Sequence, residues 1–351
     1  MEELGVRSRQ KGRRWRVQAA LLTACLLTAV ILALGVGAVR VPLPEMLSLL
    51  DPRAGHGLQD QAVRSIILEL RLPRALMAAT AGAALAIAGG TFQALLRNPM
   101  ADPYVTGVSS GASLGAAVAI VLGLNFRFLG LGAIPLVSFC GALGTGLVVY
   151  HLARSGNSLP VLTLLLAGLA VGAVISAVVS LLTYLADQRL NQVIFWLMGG
   201  FSGASWAYVW ASAPYFLLGV AAVALNVREL NCLSLGEESA GQLGVDVERA
   251  KLVLLAGGAL LTATAVSSSG LIGFVGLIVP HLVRWFTGPD HRRLIPAAGL
   301  AGATLMVLAD TVARTIIAPT ELPVGLITAL GGGPFFIYVL RNHRTMRTFV
   351  G

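Results

Sequence analysis

Residues 161–185 read VLTLLLAGLAVGAVISAVVSLLTYL, 25 consecutive positions without one charged side chain. A surface helix of a soluble protein carries a polar face. The nearest equivalent here is a stripe of small residues, Gly168, Gly172, Ser176 and Ser180, at strict four-residue spacing. An apolar run longer than about 18 residues reads as a transmembrane helix. Comparable runs recur outward in both directions, at approximately 16–39, 72–96, 105–123, 132–152, 206–226, 250–269, 271–287, 295–313 and 323–340. The chain therefore reads as an all-α integral membrane protein with about ten transmembrane helices. Its composition agrees: 56% of the 351 residues are hydrophobic, 12% are charged and the mean hydropathy is +0.81. A soluble domain has about 25% charged residues, and this chain lacks the charge to cover a water-exposed surface.

Sidedness follows from the basic residues. Arg7, Arg9, Lys11, Arg13, Arg14 and Arg16 precede the first span, and the positive-inside rule puts them in the cytoplasm. Ten spans return the C-terminus, with Arg341, Arg344 and Arg347, to the same side. On that topology 17 of the 25 basic residues lie inside and eight outside. The net charge of +9 reads as membrane sidedness rather than nucleic-acid binding, because the basic run holds a single aromatic, Trp15, and leads straight into an apolar span. The apolar run 17–39 exceeds the 7–15 residues of a signal-peptide core and reads as a retained span. The expected organisation is a basic cytoplasmic N-terminus at 1–15, a membrane domain over 16–341 and a cytoplasmic C-terminus at 342–351.

Catalysis has no visible apparatus. There is no phosphate-cradling G-x-x-x-x-G-K-[ST] loop. His56, His151, His281, His291 and His343 are scattered, and Cys25, Cys140 and Cys232 show no metal-ligand spacing. No metal site is expected, and the chain reads as a non-enzyme. Ion-coupled carriers place carboxylates near mid-membrane, whereas Asp310, the best candidate here, falls near an outer end. A stand-alone secondary transporter or channel is thereby the weaker alternative.

Some features fit a structural and a functional reading alike. Arg71 and Arg74 in RLPR, and Arg314, sit at outer helix ends against the insertion bias. They are either neutralised locally, Asp310 being one turn before Arg314, or they present a docking surface for an acidic partner. The stripe at 168–180 is either a close-packing face or the wall of a wide, nearly uncharged path. Span ten, with Gly325, Thr328 and the run Gly331–Gly333, is expected to bend or to accept a close neighbour. The joint Ser267–Gly270 is either a break or a kink. Arg97–Pro103 (RNPMADP) forms a stiff turn, because its two prolines forbid a continuous helix. Residues 191–203 are too short to span and read as an interfacial helix with Trp196 and Trp206 as anchors. The longest internal loop carries five carboxylates. Its S-x-x-E pattern at Ser234–Glu237 suggests a helix cap, Gly241 and Gly244 a break, and Asp246 a restart: two short helices within the loop 227–249.

Several of these stretches resemble one family, the permeases of type II ABC importers for ferric siderophores, haem and cobalamin. The similarity runs from about residue 71 to 341, through RLPR at 71–74, RNPMADPYVTGVSSGASLG at 97–115, LSLGEESAGQLGV at 233–245, GFVGLIVPHLVR at 273–284, and LADTVAR with ELPVGLITALGGGPFFIYVL over 308–340. The resemblance implies a homodimer in the cytoplasmic (inner) membrane with both termini inside. It also implies two ATPase subunits that carry ATP and Mg, an extracytoplasmic substrate-binding protein, and no cofactor on this chain. It implies that Arg71, Arg74 and Arg314 dock the binding protein. Residues 233–249 become coupling helices, with Leu235, Gly236, Glu237, Glu238, Ala240, Leu243 and Gly244 facing the ATPase. Gly168, Gly172, Ser176, Ser180, Gly325 and Thr328 line the path, and Met100, Val161 and Leu162 form an inner gate. Some relatives carry small hydroxyl residues where this chain has Val161 and Leu162.

Overall fold

The computed structural model describes residues 2–37, 39, 41–48, 58–128, 130–156 and 158–341. The C-terminal segment 342–351, with Arg344 and Arg347, lies outside the described residues, as do the side chains of Arg7, Arg9 and Lys11.

Helices form at all ten expected positions. They are α1 (Glu2–Gly35), α4 (Leu72–Leu95), α5 (Val108–Val121), α6 (Ala133–Ala153), α7 (Val161–Tyr184), α9 (Trp206–Leu225), α12 (Val247–Ser269), α13 (Val275–Thr287), α14 (His291–Ala313) and α15 (Val324–Arg341). Short helices join them: α2 (Leu43–Ser48), α3 (Leu58–Ser65), α8 (Leu190–Met198), α10 (Val227–Leu233) and α11 (Glu237–Gln242). α3 runs through a π-helical turn, Ile66–Arg71, into α4. A two-stranded hairpin pairs Arg127–Phe128 with Leu131–Gly132. Among the described residues seven helices are long and apolar enough to cross a membrane, and α5, α13 and α15 are shorter apolar helices. α5 and α13, at 14 and 13 residues, reach only about 20 Å. A 3₁₀ turn, Pro103–Thr106, extends the former, and the non-helical stretch 270–274 precedes the latter.

Side-chain size, rather than polarity, decides which helix lies inside. Lipid tails are as apolar as leucine, so no hydrophobic drive pairs one apolar helix with another; close backbone approach does. α4 is built from Ala and Gly, and 78% of its most apolar window is buried, against 67% for α12 and 61% for α14. The windows of α1, α7 and α9, helices that carry more Leu or more aromatic side chains, are only 11% buried. α4 lies between α14 and α12, with Phe92 fully buried against Gly258. Where α4 meets α14, Gly82 faces Gly302, and a methyl group on either would overlap the carbonyl of the other.

α12 and α14 start three to four residues before their expected positions. Asp246 and Asp290 cap them through their carboxylates, accepting from the amides of Arg249 and Arg292 at 3.1 Å. Hydropathy misses these first turns because Glu248, Arg249, Arg292 and Arg293 read as loop. The joint after Ser269 is a break: Gly270 takes φ +69° and α13 begins at Val275. Non-helical backbone at membrane depth must find partners in the protein. The Tyr104 hydroxyl supplies two, donating to the Ile272 carbonyl at 2.8 Å and accepting from its amide at 3.0 Å. The Ser269 carbonyl accepts from the Gly200 amide at 2.7 Å. α15 is continuous through its triple glycine, and Gly332 admits the Phe274 side chain.

Two outcomes are expected. Gly302→Val forces α4 and α14 apart and costs about 1–3 kcal/mol, read as a lower melting temperature in detergent with Gly302→Ala intermediate. Tyr104→Phe strands both backbone groups of Ile272 and costs about 1–3 kcal/mol, read in the same melt.

Candidate functional site

The bundle has two chemically distinct ends. At one, the turn after α4, the loop 154–160, α10, α11 and the start of α14 come together. α10 buries Val227, Leu230 and Leu233, an i, i+3, i+6 face continuous with the end of α9. Asn231 ties it to α14, donating to Asp290 at 2.9 Å and accepting from the His291 amide at 2.9 Å. Burial pushes the Asp290 carboxyl upward, but the hydrogen bonds from Asn231 and the Arg292 amide and the charges of Arg292 and Arg293 outweigh it. The net result is a carboxyl below its usual range.

The expected Ser234–Glu237 cap does not form. The Ser234 hydroxyl donates backward to the Leu230 carbonyl at 2.9 Å and finishes α10. α11 starts instead from Gly236, which takes φ +119° beside Arg97. The pair of short helices within the loop 227–249 is thus α10 and α11, and the first spans 227–233, ahead of the Ser234 start and of the 233–249 that the resemblance implies. The apolar beat of α10 prolongs span six, which hid it. Ala240 is the buried anchor of α11, while Leu235 and Leu243 are 66% and 53% exposed and Glu237, Glu238 and Gly244 face outward.

Behind α11 lies a residue that sequence reasoning missed. Lys251, on the first turns of α12, has a side chain only 3% exposed. Its ammonium meets Glu237 at 2.9 Å, Glu248 at 2.7 Å and the Leu159 carbonyl at 2.9 Å. Glu248 in turn accepts from the Leu159 amide at 2.9 Å. Lys251 is one of two lysines in the chain. A lone cation inside a predicted span was the available signal.

The residues expected at the gate separate in this structure. Met100 is half-buried against α13 and α15, beside Ile278, Phe335 and Val339. Val161 is half-buried and Leu162, at the start of α7, is 68% exposed. The small-residue stripe also divides. Gly168 packs on the Val105 carbonyl, where a methyl group would overlap, and Gly172 lies near Ser110. Ser176 and Ser180 are exposed. Gly325 abuts the Met198 and Leu271 carbonyls, and Thr328 is buried with its hydroxyl on the Gly325 carbonyl at 3.1 Å.

At the opposite end the three arginines are held within the chain. Arg74 pairs bidentately with Asp310, at 2.8 Å at its closest, and with Glu321 at 2.9 Å. Arg71 donates to the Leu34 carbonyl at 2.6 Å and to Val39, and Arg314 donates to the Ala33 carbonyl at 2.6 Å and reaches Asp310 at 3.6 Å. Two guanidinium groups thus satisfy the last carbonyls of α1, where the helix dipole favours cations. Asp310 is shared, with the nearer arginine being Arg74 rather than its sequence neighbour Arg314. Two recesses of about 320 and 460 Å³ open beside this node and share Arg74, Phe201, Ser202 and Glu321.

Comparison with known proteins places this architecture. The FecCD transport family matches residues 25–342. The cobalamin import system permease protein BtuC of Halobacterium salinarum is 47% identical over 282 residues, covering 80% of this chain and 75% of the relative. The hemin transport system permease protein HmuU of Yersinia pestis is 42% identical over 336 residues, covering 95% and 99%. A solved ABC transporter assigned to the metal-chelate type, in an inward-facing conformation, superposes with a TM-score of 0.80 at 34% identity over 92% of this chain and 98% of the other. With a family match from residue 25 to 342 and relatives above 40% identical across most of their length, this chain belongs to the FecCD transport family and is a permease of the type II ABC importer kind.

Proposed function

We propose that this chain is the membrane subunit of an importer that carries an iron chelate, cobalamin or haem across the cytoplasmic membrane. A separate ATPase drives it and an extracytoplasmic binding protein feeds it. The observation that carries the reading is α11. Leu235 and Leu243 stand exposed at either end of a short acidic helix outside the bundle, an arrangement suited to a groove on a partner. Both termini then lie on the α11 side, as the basic residues require. Ser176 and Ser180 are exposed on α7, a helix at the bundle's edge. A path along them has its second wall in another subunit, which supports a homodimer with the path on its axis. Gly325 and Thr328 join that path only if the Met198 and Leu271 contacts open, and Met100, Val161 and Leu162 gate it by moving relative to one another. The cargo classes rest on the names of the relatives.

In this reading Arg71, Arg74 and Arg314 attract the binding protein's carboxylates, and Glu321, with a side chain 41% exposed, already covers the outer edge of Arg74. An incoming carboxylate competes with it.

The deciding experiment reconstitutes the permease in liposomes with and without its companion ATPase and binding protein, and measures uptake of a ferric siderophore, cobalamin and haem. Uptake of one of the three, dependent on ATP and on both partners, is expected; uptake by the permease alone would refute the reading. Leu235→Asp with Leu243→Asp is expected to weaken ATPase association at least tenfold, since each buried leucine contributes about 1.5–3 kcal/mol, while the melting temperature stays unchanged. Glu321→Gln is expected to strengthen binding-protein docking by about 0.2–1 kcal/mol, the scale of an exposed pair, at low salt and not at high salt. Weaker or unchanged docking at low salt would remove the arginines from the docking surface.

A further inference from the structure

We infer that Lys251 is the positioning residue that passes movement of α11 to the start of α7, through a staple made with Glu237, Glu248 and both backbone groups of Leu159. The inference rests on the coupling reading above and names the part of the chain that carries the motion inward.

The geometry is that of a joint between three segments distant in sequence. An ammonium has three N–H donors, and here three acceptors converge on it: the carboxylates of Glu237 on α11 and Glu248 on α12, and the Leu159 carbonyl. Glu248 completes the grip by accepting from the Leu159 amide. Leu159 is itself buried, and Pro160 follows it as the residue capping α7. Proline fixes its own backbone, so displacement of Leu159 is delivered to Val161 and Leu162 with little slack. Neutralising a buried lysine needs one carboxylate, and Glu248, three residues away on the same helix, provides it. The bonds to Glu237 and Leu159 exceed that need, and each joins the cation to a different moving part. Glu237 is partly exposed at the outer surface of α11, while Lys251 is almost wholly buried. The network therefore runs from the surface offered to the ATPase to the helix that begins at the gate.

The staple should act as a link and not only as a brace. The test uses the full complex with ATPase and binding protein in lipid nanodiscs, with a spin label at Leu162. The distance between the two copies' labels is read with and without trapped nucleotide, and ATP hydrolysis and cargo uptake are measured on the same preparation in liposomes. Wild type should show a nucleotide-dependent shift and ATP-driven uptake; if it shows no ATP-driven uptake, the reading of the whole complex fails with this one. In Lys251→Met, and in the milder Glu237→Gln, which leaves the grip on Leu159 in place, hydrolysis should persist and the Leu162 shift should disappear. Uptake per ATP should fall by about tenfold or more, the scale of a coupling free energy between linked sites. A merely structural role would lower the melting temperature and the yield of both variants while the assembled complex kept its Leu162 shift and its uptake per ATP. That result, in Glu237→Gln alone if Lys251→Met does not assemble, would overturn the inference.

Discussion

The contact of α4 with α14 at Gly82 and Gly302 expresses the constraint on which the rest of the molecule depends. In a bilayer a leucine gains little by leaving lipid for another leucine, so helices stay together where their backbones approach and many weak contacts accumulate. That is why the central helix of this bundle is made of alanine and glycine, with Phe92 let in only where Gly258 makes room. The large side chains are displaced to α1, α7 and α9 at the edge. A Leu-rich helix left at the edge is also the one free to meet a second subunit.

The same environment dictates how irregular backbone is tolerated. Where the chain unwinds between α12 and α13, one tyrosine hydroxyl serves both polar groups of Ile272. Where α1 ends, its carbonyls are met by arginines from α14 and from the turn before α4. These polar contacts occupy groups that a sequence-based view would have left available for partners. Arg74 in particular is enclosed by Asp310 and Glu321, so an outer docking surface involving it is competitive rather than vacant.

The two ends of the bundle differ in a way that suits a driven permease. The arginine end is preorganised, its three guanidinium groups held by two carboxylates and by helix-end carbonyls and mostly buried. The other end holds a helix of six residues, anchored by Ala240 and by the Glu237–Lys251 pair, with the flanking Leu235 and Leu243 in the open. Little apolar area fixes α11 to the body of the protein, and regions of low contact density move most readily. Force applied there reaches the bundle through α10, clamped by Asn231 to α14, and through Lys251, clamped to Leu159.

The positions of the ten apolar helices and of an interruption at Gly270 were legible along the chain, because charge depletion and the placement of Gly and Pro are local properties; whether that interruption breaks or kinks the helix was not. So were the acidic loop after α9 and the arginines at the opposite end of the bundle, through stretches of residues in a recognisable order. What each charge pairs with was not. Arg74 finds Asp310 across 236 positions and Arg314 finds Ala33 across 281, separations at which no spacing rule operates. Lys251 stood in the first turn of an expected span with no partner in view, and Ser234 looked like the start of a helix. Only the packed bundle shows that the first is buried among three acceptors and the second turns back to close α10. The linear order of apolar and polar residues determined that this chain crosses a membrane, and where. Tertiary structure alone decided which polar groups satisfy one another, since a buried ion or a stranded carbonyl takes the partner the fold brings near rather than the one nearest in sequence.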